Sequence, residues 1–241
     1  DLYFYIRIGF RVDVLYVMAG IGTQALGILR ILRPGLKIVT NNDGVEWERA
    51  KYGKIERLLI KSFIRSSLRF SHIVIHDHPK LEARFPKHNS TKTTLIEYGA
   101  DIPELIEWSS EVVREYGRGM SEISPEEYYI LVARLQRDNN IHLIIDGFNK
   151  SNTVKKLIIV GNFTDSEYEK ELRPMIEESG GKILLPGGIY DRYALDMLRQ
   201  HAFSAFHGHS AGGTNPALLE AMAIPMNIIA HRNEFNQHVL D

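Results

Sequence analysis

The residues best spaced for chemistry are His207-Gly208-His209-Ser210-Ala211-Gly212-Gly213-Thr214-Asn215-Pro216-Ala217-Leu218-Leu219-Glu220-Ala221-Met222-Ala223. An apolar run over 202–206 precedes them and reads as a buried strand, which a glycine-rich turn connects to a helix. Thr214 or Asn215 can cap that helix, and Pro216 suits its first turn. Such a turn offers free backbone N–H groups and the positive end of a helix dipole, which suits a phosphate. Glu220 lies little more than a turn further on and can accept hydrogen bonds from ligand hydroxyls. Phosphate seat and carboxylate together suggest a nucleotide-sugar. The same residues also suit a small-residue loop packing a helix on a sheet, and local sequence does not choose between the two.

Other candidate motifs are less complete. Gly20-Ile21-Gly22-Thr23-Gln24-Ala25 follows a strand and opens a helix, and Asp43 ends the next strand; this is the context of a dinucleotide fingerprint and would bind NAD. His76 and His78 flank Asp77 with a spacing that lets both rings converge at a strand end. His207 and His209 share that spacing, and His207 also abuts the glycine-rich turn. A third metal ligand is not apparent for either pair, and the sequence has no serine nucleophile elbow, Walker loop or zinc-protease motif.

Composition narrows the classes. The 241 residues suffice for one large or two small domains, and 44% are hydrophobic, enough for a packed core. Lysine and arginine number 29 against 30 acidic residues, which argues against a general nucleic-acid binder. With no cysteine, the chain has neither a disulfide framework nor a thiolate metal site, as is compatible with the cytoplasm. No apolar run approaches the roughly 20 residues that span a bilayer. The start, Asp1-Leu2-Tyr3-Phe4-Tyr5, does not read as a signal peptide.

The elements that must position these residues alternate. Hydrophobic runs predict strands over 12–18, 37–41, 72–75 and 93–96, and again over 129–133, 156–160, 182–185, 203–206 and 226–230. Helical spacing or capping signals fall between them, over 23–32, 48–70 and 79–85, then 140–148, 166–178, 190–201 and 234–240. Residues 104–116 read as helix or linker, and 117–127 as a polar loop. Strands alternating with helices imply parallel sheets covered on both faces, with ligands at the carboxyl ends of the strands. A break near residue 105 suggests two Rossmann-like domains.

The 207–223 segment resembles the donor-site signature of retaining glycosyltransferases of family four, the glycosyltransferase group 1 proteins. Their pattern is Glu-Gly-Phe-Gly, three residues, then Leu-Glu-Ala. Gly213 matches the glycine, Leu219-Glu220-Ala221-Met222-Ala223 match the end with Glu220 as second glutamate, and Gly212 stands in the place of the first. That departure is similar to a rhamnosyltransferase-like subgroup, which reads His-Gly-His-Ser-x-Gly-Gly-Thr-Asn-Pro. Val132-Ala133-Arg134-Leu135 with Asn139-Asn140 resembles the start of the family's donor domain, where an arginine and a lysine hold the diphosphate. Asn139 occupies the lysine position, as in the subgroup. An arginine at a strand end can make two parallel bonds to phosphate oxygens; taken alone, Arg134 also reads as a surface salt-bridge partner. Gly187-Gly188-Ile189-Tyr190 resembles the loop past the nucleobase, and also reads as an ordinary turn before a helix that Asp191 helps to cap. Gly161-Asn162 falls where the family has a glycine beside the ligand. Asn42-Asp43-Gly44-Val45-Glu46-Trp47-Glu48-Arg49-Ala50-Lys51 resembles the strand-end motif His-Gly-Leu-Glu, with Asp43 in the histidine position, and matches the subgroup form Asp-Gly-x-Glu-Trp-x-Arg-x-Lys. Without the resemblance, Asp43 reads as a helix cap above a half-buried Trp47. Tyr98-Gly99-Ala100-Asp101 matches the turn leaving the first domain.

The resemblance implies an α/β fold of two Rossmann-like domains of GT-B type, both incomplete. Residues 1–105 would be the acceptor-side domain lacking its first strand, and 106–241 the donor domain lacking its last helices. It implies transfer of a hexose, L-rhamnose as the best match, with retention, from a nucleoside diphosphate to a saccharide or lipid-linked saccharide in bacterial surface polysaccharide synthesis. Asp43 and Arg134 would be catalytic. Gly188, Ile189, His207, Gly212, Gly213, Thr214, Asn215 and Glu220 would bind the donor, and Glu46, Trp47, Arg49 and Lys51 would face the acceptor. Neither cofactor nor metal is expected, the nucleotide-sugar being a substrate. The implied location is the cytoplasm, with peripheral contact at the inner face of a membrane. The alternatives are a catalytically silent binding or assembly subunit, and an NAD-binding Rossmann protein.

Overall fold

The computed structural model describes residues 2–18, 22–42, 44–49, 52–86, 92–163, 166–210 and 212–241. The chain divides into two compact units. The first comprises residues 1–98, 211–214 and 237–241, and the second residues 99–210 and 215–236. Among the described residues no helix is long and apolar enough to cross a membrane.

The first unit opens with a helix that the sequence pattern does not announce, α1 (Leu2–Gly9). Then follow β1 (Val14–Met18), α2 (Ala25–Leu32), β2 (Lys37–Asn41), α3 (Lys54–Phe70), β3 (Ile73–His76), α4 (Pro79–Glu82) and β4 (Lys92–Leu95). The four strands form one parallel sheet in the order β1-β2-β3-β4, with Leu15 paired to Ile38 and Val39 to Ile73. Leu15, Val17 and Ile38 pack against Leu26 and Leu29 of α2, with Tyr5 and Ile8 of α1 completing the cluster. The single helix expected over 48–70 is present but starts later, at Lys54. Glu46–Glu48 is a short 3₁₀ turn, and α3 starts after Gly53, whose N–H donates to Glu56 at 2.7 Å. A glycine in extended backbone followed by a glutamate at the third helical position is a helix start, and the apolar spacing at Ile55, Leu58, Leu59, Phe63 and Ile64 all falls after it.

In the second unit, the segment expected as helix or linker has no regular structure over 104–109. Its one short helix, α5 (Ser110–Arg114), is capped by Ser109. Trp108 packs on Tyr128 and His201, and the Ile106 N–H donates to Gln200 at 2.9 Å. The predicted loop 117–127 holds a 3₁₀ turn over Arg118–Glu122, with Met120 and Ile123 in the core. There follow β5 (Tyr128–Val132), α6 (Ile141–Lys150), β6 (Lys156–Val160), α7 (Ser166–Glu178), β7 (Ile183–Gly187), α8 (Arg192–Gln200), β8 (Ser204–His207), α9 (Pro216–Met222) and β9 (Asn227–Ala230); the last helix, α10 (Glu234–Leu240), has its residues 237–240 in the first unit. The sheet is parallel, in the order β7-β6-β5-β8-β9. Its strands read as near-continuous apolar runs because both faces are covered. Ile130 and Ile158 face Ala194, Met197 and Leu198 of α8. Their neighbours Leu131, Leu157 and Ile159 point the other way, onto Ile141, Ile145 and Phe148 of α6 and Tyr168 and Leu172 of α7.

Candidate functional site

Chain direction around the second sheet reverses at β5. From there β6 and β7 run to one side, and β8 and β9 to the other. In such sheets a crevice opens beyond the carboxyl ends of the strands, at the point of reversal. A cavity of about 610 Å³ lies here, lined by the exits of β5, β6, β7 and β8 and by the start of α9. That volume suits a ligand of cofactor size. It brings together Arg134, Gly188, Ile189, His207, Asn215 and Glu220 among the candidates from sequence, and adds Asn139, Asn162, Tyr190 and His209.

Close backbone packing shapes the cavity. Gly161 follows β6 at φ 156°, and a Cβ there would meet the Ala133 carbonyl oxygen at 1.9 Å. Asn162 accepts the Gly188 N–H at 2.9 Å and donates to the Tyr190 hydroxyl at 3.0 Å, so one side chain ties the exits of β6 and β7. Asp191 caps α8 through the Tyr193 N–H at 2.9 Å. Across the cavity, the exits of β5 and β8 are stitched together. Asn139 donates to the Arg134 carbonyl at 2.6 Å, which fixes its amide orientation, so its oxygen accepts from Nδ1 of His209 at 2.9 Å. Asn140, in left-handed backbone, donates to the Gly208 carbonyl at 2.9 Å, and Ser210 bonds the Asp138 carbonyl. Asn139 thus holds two loops together.

The charged groups are few. Arg134 is exposed on the cavity wall, and among the described residues no carboxylate pairs with it. Glu220 lies on α9 with its side chain half exposed to the cavity, and its Oε2 sits 2.5 Å from Nη2 of Arg199. His207 is only 6% exposed, and its Nε2 is buried with no partner among the described residues. Burial, helped by the neighbouring charge of His209, pushes its pKa down to about 4, so the ring is neutral at pH 7. A second, more apolar cavity of about 350 Å³ borders His207 from the side of Leu143, Phe148 and Ile229.

Other candidates sit elsewhere or are already engaged. Asn215 caps α9 by accepting the Ala217 N–H at 2.9 Å, so one of the helix-start amides is satisfied. Gly212, Gly213 and Thr214 belong to the first unit and do not line the cavity. The Thr214 N–H donates to the Asp77 carboxylate at 2.8 Å and its hydroxyl to the Asp77 carbonyl at 2.9 Å, while a Cβ on Gly213 would meet that carboxylate at 2.5 Å. Asp77 thus takes an amide that the sequence offered to phosphate. Glu46 and Arg49 form an ion pair at 2.8 Å, the Tyr52 hydroxyl donates to Glu46 at 3.3 Å, and Trp47 is buried. Asp43, Lys51, Gly20 and Ile21 lie outside the described residues. Thr23, from the dinucleotide-like turn, is buried and donates to the Phe63 carbonyl at 2.6 Å. Nδ1 of His76 contacts the His78 carbonyl at 3.0 Å, and Nδ1 of His78 accepts the Lys80 N–H at 3.1 Å. Among the described residues no group of three or more histidine, aspartate or glutamate side chains is placed to hold a metal ion.

The family model described as glycosyl transferases group 1 matches residues 118–241. The chain belongs to this family. The matched region contains every strand exit that lines the cavity. A search of the curated proteins finds no match. Solved structures share the fold across the whole chain. Anabaena HepE in complex with UDP is 16% identical with a TM-score of 0.77, and the match covers 100% of this chain and 65% of that one. An α,α-trehalose-phosphate synthase (UDP-forming) from Burkholderia xenovorans, in complex with glucose-6-phosphate, is 11% identical with a TM-score of 0.73, over 100% and 64%. Sucrose-phosphate synthase from Thermosynechococcus elongatus is 16% identical with a TM-score of 0.70, over 95% and 58%. The fold is therefore α/β of the GT-B class, and this chain spans less than two thirds of the length of these structures.

Proposed function

We propose that this group 1 family member is a glycosyltransferase whose second unit binds a nucleoside-diphosphate sugar in the 610 Å³ cavity. The observation that carries this reading is that an exposed cation, Arg134, and a carboxylate, Glu220, line one cavity at a strand-order reversal. Arg134 neutralises the diphosphate, Glu220 accepts from ribose or sugar hydroxyls, and the Gly188–Ile189 backbone meets the base. HepE has been crystallised with UDP-glucose, which supports a donor of this class. In the transfer, the bond from the sugar's anomeric carbon to the diphosphate breaks, a bond to an acceptor hydroxyl forms, and the acceptor's proton passes to the leaving diphosphate. Catalysis is then positioning plus electrostatic stabilisation of the departing charge. The finer proposal is retaining transfer of L-rhamnose to a saccharide or lipid-linked saccharide of a bacterial surface polysaccharide. It takes place in the cytoplasm at the membrane's inner face, with Asp43 beside the sugar and Glu46, Trp47, Arg49 and Lys51 on the acceptor side. Its support is the subgroup match of 42–51 and 207–216.

A thermal-shift panel of UDP, dTDP, GDP and NAD tests the reading. At about 100 times the dissociation constant, a bound nucleoside diphosphate adds about 2.7 kcal/mol of stability. Stabilisation by NAD alone would point to the dinucleotide reading, and no response to any of the four to a silent subunit.

A further inference from the structure

Arg199 is a cation that the transfer chemistry leaves unassigned, yet it is the shortest polar contact of the Glu220 side chain. It lies in the last turn of α8 with its side chain 4% exposed, whereas that of Glu220 is 47% exposed. A guanidinium cannot lose its proton, so burying one requires anionic partners. Arg199 has two. Asp196, one turn earlier on α8, is long at 3.4 Å and shares its other oxygen with Nε of Arg192 at 3.3 Å. Glu220, on α9, is at 2.5 Å. Space for the arginine comes from Ala217 and Ala221, the small residues of α9 that with Arg199 line a small void beneath the helix. The pair is asymmetric: the cation is sealed in the core, and the carboxylate reaches from it into the cavity. Arg199 bonds only Oε2, and Oε1 has no partner among the described residues.

Building on the donor-site reading above, we propose that Arg199 is a positioning residue of the donor site. Its guanidinium locks the Glu220 carboxylate in one rotamer and presents Oε1 to the hydroxyls of a bound nucleoside diphosphate. A half-exposed glutamate on a helix surface otherwise samples several rotamers and loses that freedom on binding. A partner buried beneath it removes the cost in advance.

A double-mutant cycle separates this role from a merely structural one. Calorimetric titrations with UDP, dTDP and GDP are run on the wild-type chain and on R199M, R199K, E220Q, R199M/E220Q and R199K/E220Q, with melting temperatures recorded in parallel. E220Q and R199M should each weaken binding about tenfold to a hundredfold, the range expected for losing a hydrogen bond to a charged group. The double variant should bind within about twofold of E220Q, because Arg199 acts only through that carboxylate. R199K keeps the charge without the fork and should restore part of the loss. If R199M does not fold, R199K decides: it should weaken binding in the wild-type background and change nothing beside E220Q. A folded R199M that binds like wild type, or losses that add in the double variant, overturn the proposal alone. A wild-type chain that binds none of the three overturns the donor-site reading, and the proposal with it.

Discussion

His207 shows how far surroundings set the chemistry of one residue. Its sequence neighbours invite a ligand or proton-transfer role, but burial at the end of β8 holds its pKa down to about 4. The unfolded chain takes up this proton near the ordinary imidazole value of about 6.5, while the folded chain resists it. Stability contributed by the neutral ring is therefore complete above pH 6.5, declines as pH falls toward 4, and is gone below that. The span corresponds to roughly 3 kcal/mol. Urea unfolding between pH 4 and 7 should show this slope in the wild type and a flatter one in H207Q, whatever the variant's absolute stability. Equal slopes would mean that His207 titrates normally. Legibility at this scale followed backbone context. Arg134 and Glu220 could be placed because a strand end and a helix start fix where each points. Arg199 could not, since an arginine near the end of an amphipathic helix ordinarily lies on its solvent face. Asp77 was legible only as part of a histidine pair, and its bond to the Thr214 amide joins residues far apart in sequence.

The elements lining the cavity are held by backbone approach as much as by side chains. Gly161 and Gly208 have no room for a Cβ, which would lie 1.9 Å from the Ala133 carbonyl oxygen and 2.0 Å from that of Asn139. In both cases a strand exit is pressed against the segment after β5, which carries Arg134. Alanine at either position must push these backbones apart, at a cost of about 1–3 kcal/mol or more, and Gly161 adds its unfavourable φ. Gly35, where an added methyl would meet nothing within 4 Å, is the control and should tolerate alanine within about 0.5 kcal/mol. Denaturant midpoints of G161A, G208A and G35A compare them directly; equal midpoints would show that the strand exits are soft. Most elements were legible because apolar runs of strand length alternate with helical spacing; α7 was legible even with Pro174 inside it. The failures share a cause. Over 48–70 and 104–116 the helix is present but starts late, after Gly53 and after Ser109, with Trp47 in a 3₁₀ turn and Ile106 and Trp108 packed on the core without regular structure upstream. Periodicity announces a helix and the capping residue decides where it starts; Ile55, Leu58 and Leu59 carry the period and are nevertheless exposed.

At the scale of the whole molecule, parallel sheets followed from strict alternation, but the order β7-β6-β5-β8-β9 did not, because hydrophobic runs carry no record of which neighbour each strand takes. That order is what gathers Arg134, Asn162, Gly188 and Glu220 around one cavity. The charge of the chain bears on how an anion reaches it. With 29 basic and 30 acidic residues the formal net charge is −1, so no general field draws a diphosphate in. Among the described residues lining the cavity, Arg134 is the one lysine or arginine. Recruitment should then rest on one local, solvent-facing charge, whose attraction is screened over about 10 Å at 0.1 M salt. Raising NaCl from about 0.05 M to about 0.5 M should weaken UDP binding by less than about tenfold, and R134Q should bind more weakly at low salt and lose most of that dependence. Calorimetry on both proteins across the salt series checks it. A steep dependence that persists in R134Q would place the recruiting charge on a wider basic surface and remove Arg134 from the diphosphate.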